Sequence, residues 1–221
     1  MYLRSVSVFA AQASMPSFGA AQQNLNIHYN VFVNHASFVN LLFLLVVPAL
    51  TMRLISEEKK QATFDLLLTS PITATDIAVG KFLGGFMAVA VLVFVSAVYP
   101  VGTALIAKFP WTPLLLTYVG LLLISATYVA VGLFASSLTD SVVLSVVFGF
   151  IFNLILWFIS QGQGISDNPT FAAVMEHLSL GQHFFTFLKG TVQISSMVFF
   201  ASCIGLFLFL TQRVVESARW R

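Results

Sequence analysis

An all-α integral membrane protein is the fold class this sequence predicts, and three observations predict it. Of 221 residues, 58% are apolar and only 8% carry charge, where soluble chains run about 45–50% apolar and roughly 25% charged. Mean hydropathy is +0.94, and phenylalanine alone occurs 23 times. Between the charges lie five apolar stretches, each able to supply the ~20 residues that cross a ~30 Å hydrocarbon core. Ten basic and eight acidic side chains cannot solubilise that much apolar surface. A soluble enzyme, a disordered chain and a nucleic-acid module are thereby excluded, and residues 1–221 read as one transmembrane domain.

The elements follow in order. Residues 1–30 form a weak first span or an interfacial segment. Tyr2 to Ala21 is uncharged except for Arg4, but Gln12, Ser14, Pro16 and Gly19 dilute it, and Gln22 to Asn30 is polar. Ala11-Gln12-Ala13 has the form of a signal cleavage site, yet Ser5, Ser7 and Gln12 break the apolar run that a cleaved signal requires. Uncharged windows then run from Phe38 to Met52 (extended back to Asn34 to reach full length), Phe82 to Ala107, Phe109 to Thr139, Ser141 to Ser166 and Gly190 to Gln212. These are five full spans, and a first span would make six. Asp140 stands where the fourth of the five begins, favourable to the helix dipole.

Orientation follows from the basic residues of the short loops. Arg53, Lys59, Lys60 and Lys81 flank one loop, and Arg213, Arg219 and Arg221 fill the tail. If the spans alternate, these seven share a side and only Lys108 and Lys189 oppose them. The loop at 53–72 and the C-terminus are therefore expected in the cytoplasm. The segment at 162–190 is expected outside, as a re-entrant or interfacial helix carrying Phe171, Val174, Met175 and Leu178 at helical spacing. His28, His35, His177 and His183 all fall on that outer side. Their scatter, with His177 and His183 six apart, fits interfacial histidines better than a metal site, so no metal ligand is assigned.

The cytoplasmic loop is the most informative stretch. Glu57, Glu58, Lys59 and Lys60 lie just outside the membrane, and Phe64, Leu67 and Leu68 fall at i, i+3 and i+4, one face of a helix. Pro71 ends that helix, and Thr73-Ala-Thr-Asp76 has the capping-box form that opens the next. Two readings stand side by side. The helix only anchors the loop, or its apolar face and the carboxylates Glu57, Glu58 and Asp65 dock a cytoplasmic partner with a basic-rimmed groove.

Asn40-Leu-Leu-Phe-Leu-Leu-Val-Val-Pro-Ala-Leu-Thr-Met-Arg53, Glu57-Glu58-Lys59, Leu66-Leu67-Leu68-Thr69-Ser70-Pro71 and Gly80-Lys81-Phe82 together resemble ABC-2-type transporter permeases. Gln182-His183-Phe184, Lys189-Gly190, Phe207-Leu-Phe-Leu-Thr and Glu216-Ser-Ala-Arg-Trp220 extend the likeness towards the gliding-motility-associated branch. The resemblance covers residues 38–221. It departs from the family pattern at Ala62-Thr63, where Gly-Thr is usual before a glutamate that Asp65 here replaces, and in the weak first span.

The resemblance implies a six-span permease in a bacterial inner membrane, paired with a second permease chain as a homo- or heterodimer. It makes the 53–72 loop the seat of a coupling helix resting on a cytoplasmic ABC ATPase, with Glu57, Glu58, Thr63, Phe64, Asp65, Leu67 and Leu68 as coupling residues. Its implied function is export across the membrane driven by that ATPase. The alternative is transmission of ATPase motion to a gliding-type machine through an extracytoplasmic accessory protein, without conventional cargo. A membrane scaffold with no ATPase is the remaining rival.

Catalytic motifs are absent from the chain. Gly80-Lys81 is followed by Phe82, so the phosphate-cradling Gly-x-x-x-x-Gly-Lys-Ser/Thr does not occur. No catalytic residue and no cofactor is assigned here; ATP and Mg belong to the partner ATPase, and no nucleic acid is expected. No Asp, Glu, Lys or Arg lies deep in a span, which argues against a proton relay. Ser141, Ser145, Gly149 and Asn153 recur every four residues towards Trp157 and Gln161, and Gly80, Gly84 and Ala88 form a second small-residue line. Close helix packing explains both lines. The competing reading has Asn153 and Gln161 line a translocation path, beside membrane lipid.

Overall fold

The computed structural model describes residues 2–13, 28–69, 72–104, 110–161, 174–175 and 177–218. Every described element is helical. A short helix α1 (Tyr2–Ala13) comes first, then a π-helical turn, His28–Phe32, leads into α2 (Val33–Thr51). Two short helices follow, α3 (Ser56–Lys60) and α4 (Phe64–Thr69). Next come α5 (Ala74–Ser96), α6 (Val98–Ala104), α7 (Trp111–Ser137) and α8 (Val142–Gln161). The last two are α9 (Leu180–Leu188) and α10 (Ile194–Ala218).

Five of these units are long and apolar enough to cross a membrane: α2, α5 continued by α6, α7, α8 and α10. The 12 described residues of α1 rise about 18 Å, and residues 14–27, which follow, lie outside the described set. Its Val6 packs with Val31, Phe32 and Leu114 at the start of α7.

Helix α7 is the axis of the bundle, in contact with α2, α5, α8, α9 and α10. Its sequence explains why it can be central. Gly120, Ser125, Ala126, Thr127, Ala130, Gly132, Ala135, Ser136 and Ser137 are buried along it, and small side chains let neighbouring backbones approach. The hydroxyls bond within the helix, as Ser125 Oγ to Leu121 O and Thr127 Oγ1 to Leu123 O at 3.1 Å. A Cβ on Gly132 would lie 2.9 Å from Thr51 Cβ, and one on Gly149 would lie 3.3 Å from Pro48 Cβ and 3.7 Å from Ala135 Cβ. At that level α2, α7 and α8 touch nearly backbone to backbone.

The expected second line behaves differently. Gly80, Gly84 and Ala88 are exposed, and a Cβ at either glycine would meet nothing within 4 Å. The close approach on α5 is made instead by Gly85, against Leu54 and Val129. Small-residue spacing marks where a helix can be approached, and among the described residues no helix comes to that face.

Proline leaves its mark on the third element. Pro100, having no N–H, cannot pay back the Ser96 carbonyl four residues earlier, and the helix breaks at Ala97 between α5 and α6. His35 Nε2 on α2 donates to that freed carbonyl at 3.3 Å. The expected capping box at Thr73 is present: Thr73 Oγ1 accepts from Asp76 N at 3.2 Å, and Asp76 Oδ2 accepts from Thr73 N at 3.0 Å. Ser179 caps α9 in the same way, its side chain accepting from Gln182 N. Phe184, Phe187 and Leu188 of α9 are buried against α7. Thus α9 is seated in one end of the bundle, with His28 Nε2 donating to Leu188 O at 2.8 Å. Gly190 then turns the chain at φ +75, where a Cβ would strike Pro113. Phe171 lies outside the described residues.

Candidate functional site

The end of the bundle opposite α9 carries the α3–α4 link, and its rigidity is built residue by residue. Ile55 precedes α3 and has no side chain able to cap it, so α7 supplies the cap. Ser136 Oγ accepts from Ile55 N at 3.1 Å and Ser56 N at 3.0 Å, and donates to Met52 O at 3.0 Å. This one buried hydroxyl satisfies the end of α2 and the start of α3 together.

Lys59 performs the reciprocal service. Its Nζ donates to the carbonyl of Ser137, the last residue of α7, at 2.6 Å, and stands 3.7 Å from Asp140 Oδ1. Its side chain is only 16% exposed. A cation on the C-terminal carbonyls is favoured by hydrogen bonding and by the helix dipole. Glu58 pairs with Lys81 on α5. So α3 is fastened to α5 by an ion pair, to α7 by two capping contacts and towards α8 by Asp140.

The hinge between α3 and α4 is a capped helix end. Ala62 N donates to Lys59 O at 3.1 Å and Thr63 N to Glu58 O at 3.0 Å, with Ala62 at φ 55. These are the paired bonds of a Schellman cap, whose left-handed position suits glycine. Ala62 stands where the family pattern has glycine, and a left-handed alanine costs about 1 kcal/mol. Ala62→Gly is accordingly expected to raise stability by about 0.5–1 kcal/mol. Thermal unfolding followed with a thiol-reactive dye on Cys203, the chain's one cysteine, checks this; an unchanged or lower transition contradicts the strained cap.

Each residue singled out in the sequence has a definite place. Glu57 lies 3.8 Å from Arg53 Nε and accepts from Gln61 Nε2 at 3.4 Å. Thr63 Oγ1 donates to Glu58 O at 3.2 Å. Phe64 is 4% exposed, in a cluster with Ile55, Ala74, Ile77, Leu133 and Val215, and Leu67 packs against it. Phe64 and, in part, Leu67 therefore pack into the protein, onto α5, α7 and α10. Asp65 and Leu68 belong to α4, with side chains outside the described set. Among the described side chains of α4, the exposed large apolar one is Leu66, 71% exposed. It stands off the i, i+3, i+4 line, and that displacement was the only signal for it.

Asn153 is fully buried on α8 with Ser145 and Gly149. Neither of its amide atoms, nor Ser145 Oγ, has a hydrogen-bond partner among the described residues. Gln161 is the last residue of α8; its side chain also lies outside the described set. At the α9 end, His183 stacks on Phe199 with centroids 4.2 Å apart and shares a 3.0 Å hydrogen bond with Ser196 Oγ.

Fold and site together define a multi-pass helical membrane domain with a fastened helical link at one end and, among its described elements, no nucleotide-binding fold. The family described as ABC-2 family transporter protein matches residues 3–220. The chain belongs to that family, as its membrane permease component and not its ATPase. No curated protein matches the chain.

Proposed function

We propose that the α3–α4 link couples this permease to a separate cytoplasmic ABC ATPase, which binds and hydrolyses ATP with Mg and thereby powers export. One observation carries the reading: a single short helix exposes Leu66 on one side and buries Phe64 among residues of α5, α7 and α10 on the other. A displacement of α4 is passed to three spans at once, because packed interiors shift as units. The ties from Ser136, Lys59 and Lys81 stiffen the same lever. Glu57 on α3 offers a carboxylate to a basic rim in this scheme, and Asp65 and Leu68 on α4 complete the contact.

The family match and the basic residues gathered at the α3 end support a cytoplasmic position for the link and the C-terminus in a bacterial inner membrane. Val215 of α10 shares the Phe64 cluster, so the tail and the link lie at one end. Family membership also implies a second permease chain. Under this reading α1 is an interfacial segment at the outer end. The narrower gliding-motility placement, with an extracytoplasmic accessory protein in the place of cargo, rests on the motifs from Gln182 to Trp220 alone.

Leu66→Asp tests the coupling. At so exposed a site it is expected to leave stability within about 0.5 kcal/mol while removing a co-purifying ATPase and its hydrolysis. An ATPase that stays bound contradicts the assignment. Asn153→Leu tests the path. Removing two unpaired buried polar atoms is expected to keep or raise stability by about 1–3 kcal/mol. A fall in transport alongside that unchanged or higher transition supports a translocation role for Asn153, and unchanged transport assigns it to packing.

A further inference from the structure

Under α9 the bundle encloses a cavity of about 310 Å³ between α2, α7, α8 and α9, within the range of small-molecule sites. Its polar floor is built from two helices: Tyr128 on α7 donates its hydroxyl to Asn40 Oδ1 on α2 at 3.2 Å. Tyr128 is buried, and the bond fixes both side chains. Having accepted that bond, Asn40 keeps its amide N–H groups, and the Tyr128 oxygen keeps lone pairs to accept. Trp157 and Phe184 add aromatic walls, and Ser37 and Phe185, both exposed, flank the mouth.

Among the described residues, the lining contains no Asp, Glu, Lys, Arg or His. Asn40 lies seven residues into α2, about 10 Å from its start, so the cavity is inside membrane depth. A charged group there would lose its hydration without a counter-ion, at a prohibitive cost. An uncharged hydroxyl-bearing ring meets both halves of the site. Its hydroxyls replace water with Asn40, Tyr128 and Ser37, and its C–H faces lie on the aromatic walls. The mouth beside exposed Phe185 leaves room for an alkyl tail among lipids. One helical turn from Trp157, the unpaired amide of Asn153 carries hydrogen-bonding capacity further along α8.

We propose that this cavity binds the uncharged, sugar-like head of an amphiphile, which enters sideways from the outer half of the membrane. As a substrate site it rests on the proposed ATPase-driven transport; as a binding site it does not. The full chain, with Trp111→Phe and Trp220→Phe so that Trp157 is the sole tryptophan, is placed in phosphatidylcholine nanodiscs. It is titrated with octyl glucoside below its micellar concentration, and separately with octyl sulfate and octyltrimethylammonium.

The expected result is a saturable change in Trp157 fluorescence with octyl glucoside, and binding more than about tenfold weaker for both charged probes. Asn40→Leu should weaken the glucoside by about fivefold or more. Ser37→Phe, at an exposed position that leaves the core alone, should do the same by narrowing the mouth. Equal, non-saturating responses to all three probes overturn the assignment, as does full-strength binding in both variants. If the titration is flat while an ATPase still co-purifies, the pocket fails and the coupling stands. If binding saturates in a chain that recruits no ATPase, the pocket stands and the coupling reading fails.

Discussion

Phe64→Asp is expected to destabilise the folded chain by about 4 kcal/mol or more, and so to remove it from the membrane fraction. Truncating a buried phenylalanine alone costs about 3–5 kcal/mol, and a carboxylate left among Ile55, Ile77, Leu133 and Val215 adds a desolvation penalty. The neighbouring Lys59, whose Nζ stands 5.6 Å from the Phe64 ring centroid, is already committed to Ser137 and Asp140. Thermal unfolding and membrane yield are the measurements. Leu66→Asp, two residues away, should match the unsubstituted chain in both and lose only the ATPase. Equal stability for the two variants would mean that α4 is turned the other way.

The second large effect lies at the centre of the bundle. Gly132→Ala places a methyl group against the Thr51 side chain, 2.9 Å from its Cβ, and overpacking of this kind costs about 1–3 kcal/mol. The clash has a specific remedy. Thr51 Oγ1 donates only within its own helix, to Val47 O at 3.0 Å and Pro48 O at 3.4 Å, so its removal strands no partner. Gly132→Ala combined with Thr51→Gly should therefore recover the loss, less about 1 kcal/mol for glycine in a helix. A coupling energy in the double-mutant cycle identifies the contact between α2 and α7. Simple additivity, with no recovery, would show that the two backbones do not meet there.

The spans were legible because a bilayer imposes a length and a composition that charges interrupt. Each of the five windows holds one helical unit, although α5 starts at Ala74, ahead of Lys81, and α10 runs on past Arg213. The capping box at Thr73 was legible because its chemistry is local. The α3–α4 link was legible only in part. The spacing of Phe64 and Leu67 defined a face, but periodicity cannot say whether a face meets a partner or its own protein. Membrane spans elsewhere in the sequence supplied the covering residues, from Ile77 to Val215.

In the sequence, Lys59 and Glu58 stand only as charges just outside the membrane, with Glu58 among the coupling carboxylates. They are fasteners, because the ends of α7 and α5, some 80 and 20 residues away, bring Ser137 and Lys81 to them. Ala62 is the reverse case, where the odd residue in the family pattern falls on the one non-glycine position of positive φ among the described residues. The Asn40–Tyr128 floor was invisible for a simpler reason: 88 residues separate its two halves.

The central claim is that α4 carries the contact with a separate ATPase, and a photo-crosslinking residue at position 66 tests it most directly. In native membranes it should yield an adduct with a P-loop ATPase, and the yield should change when ATP is added. The same residue at position 194, exposed at the opposite end of the bundle where α10 begins, should yield none. Adducts with an ATPase at position 194 and not at 66 would contradict the account.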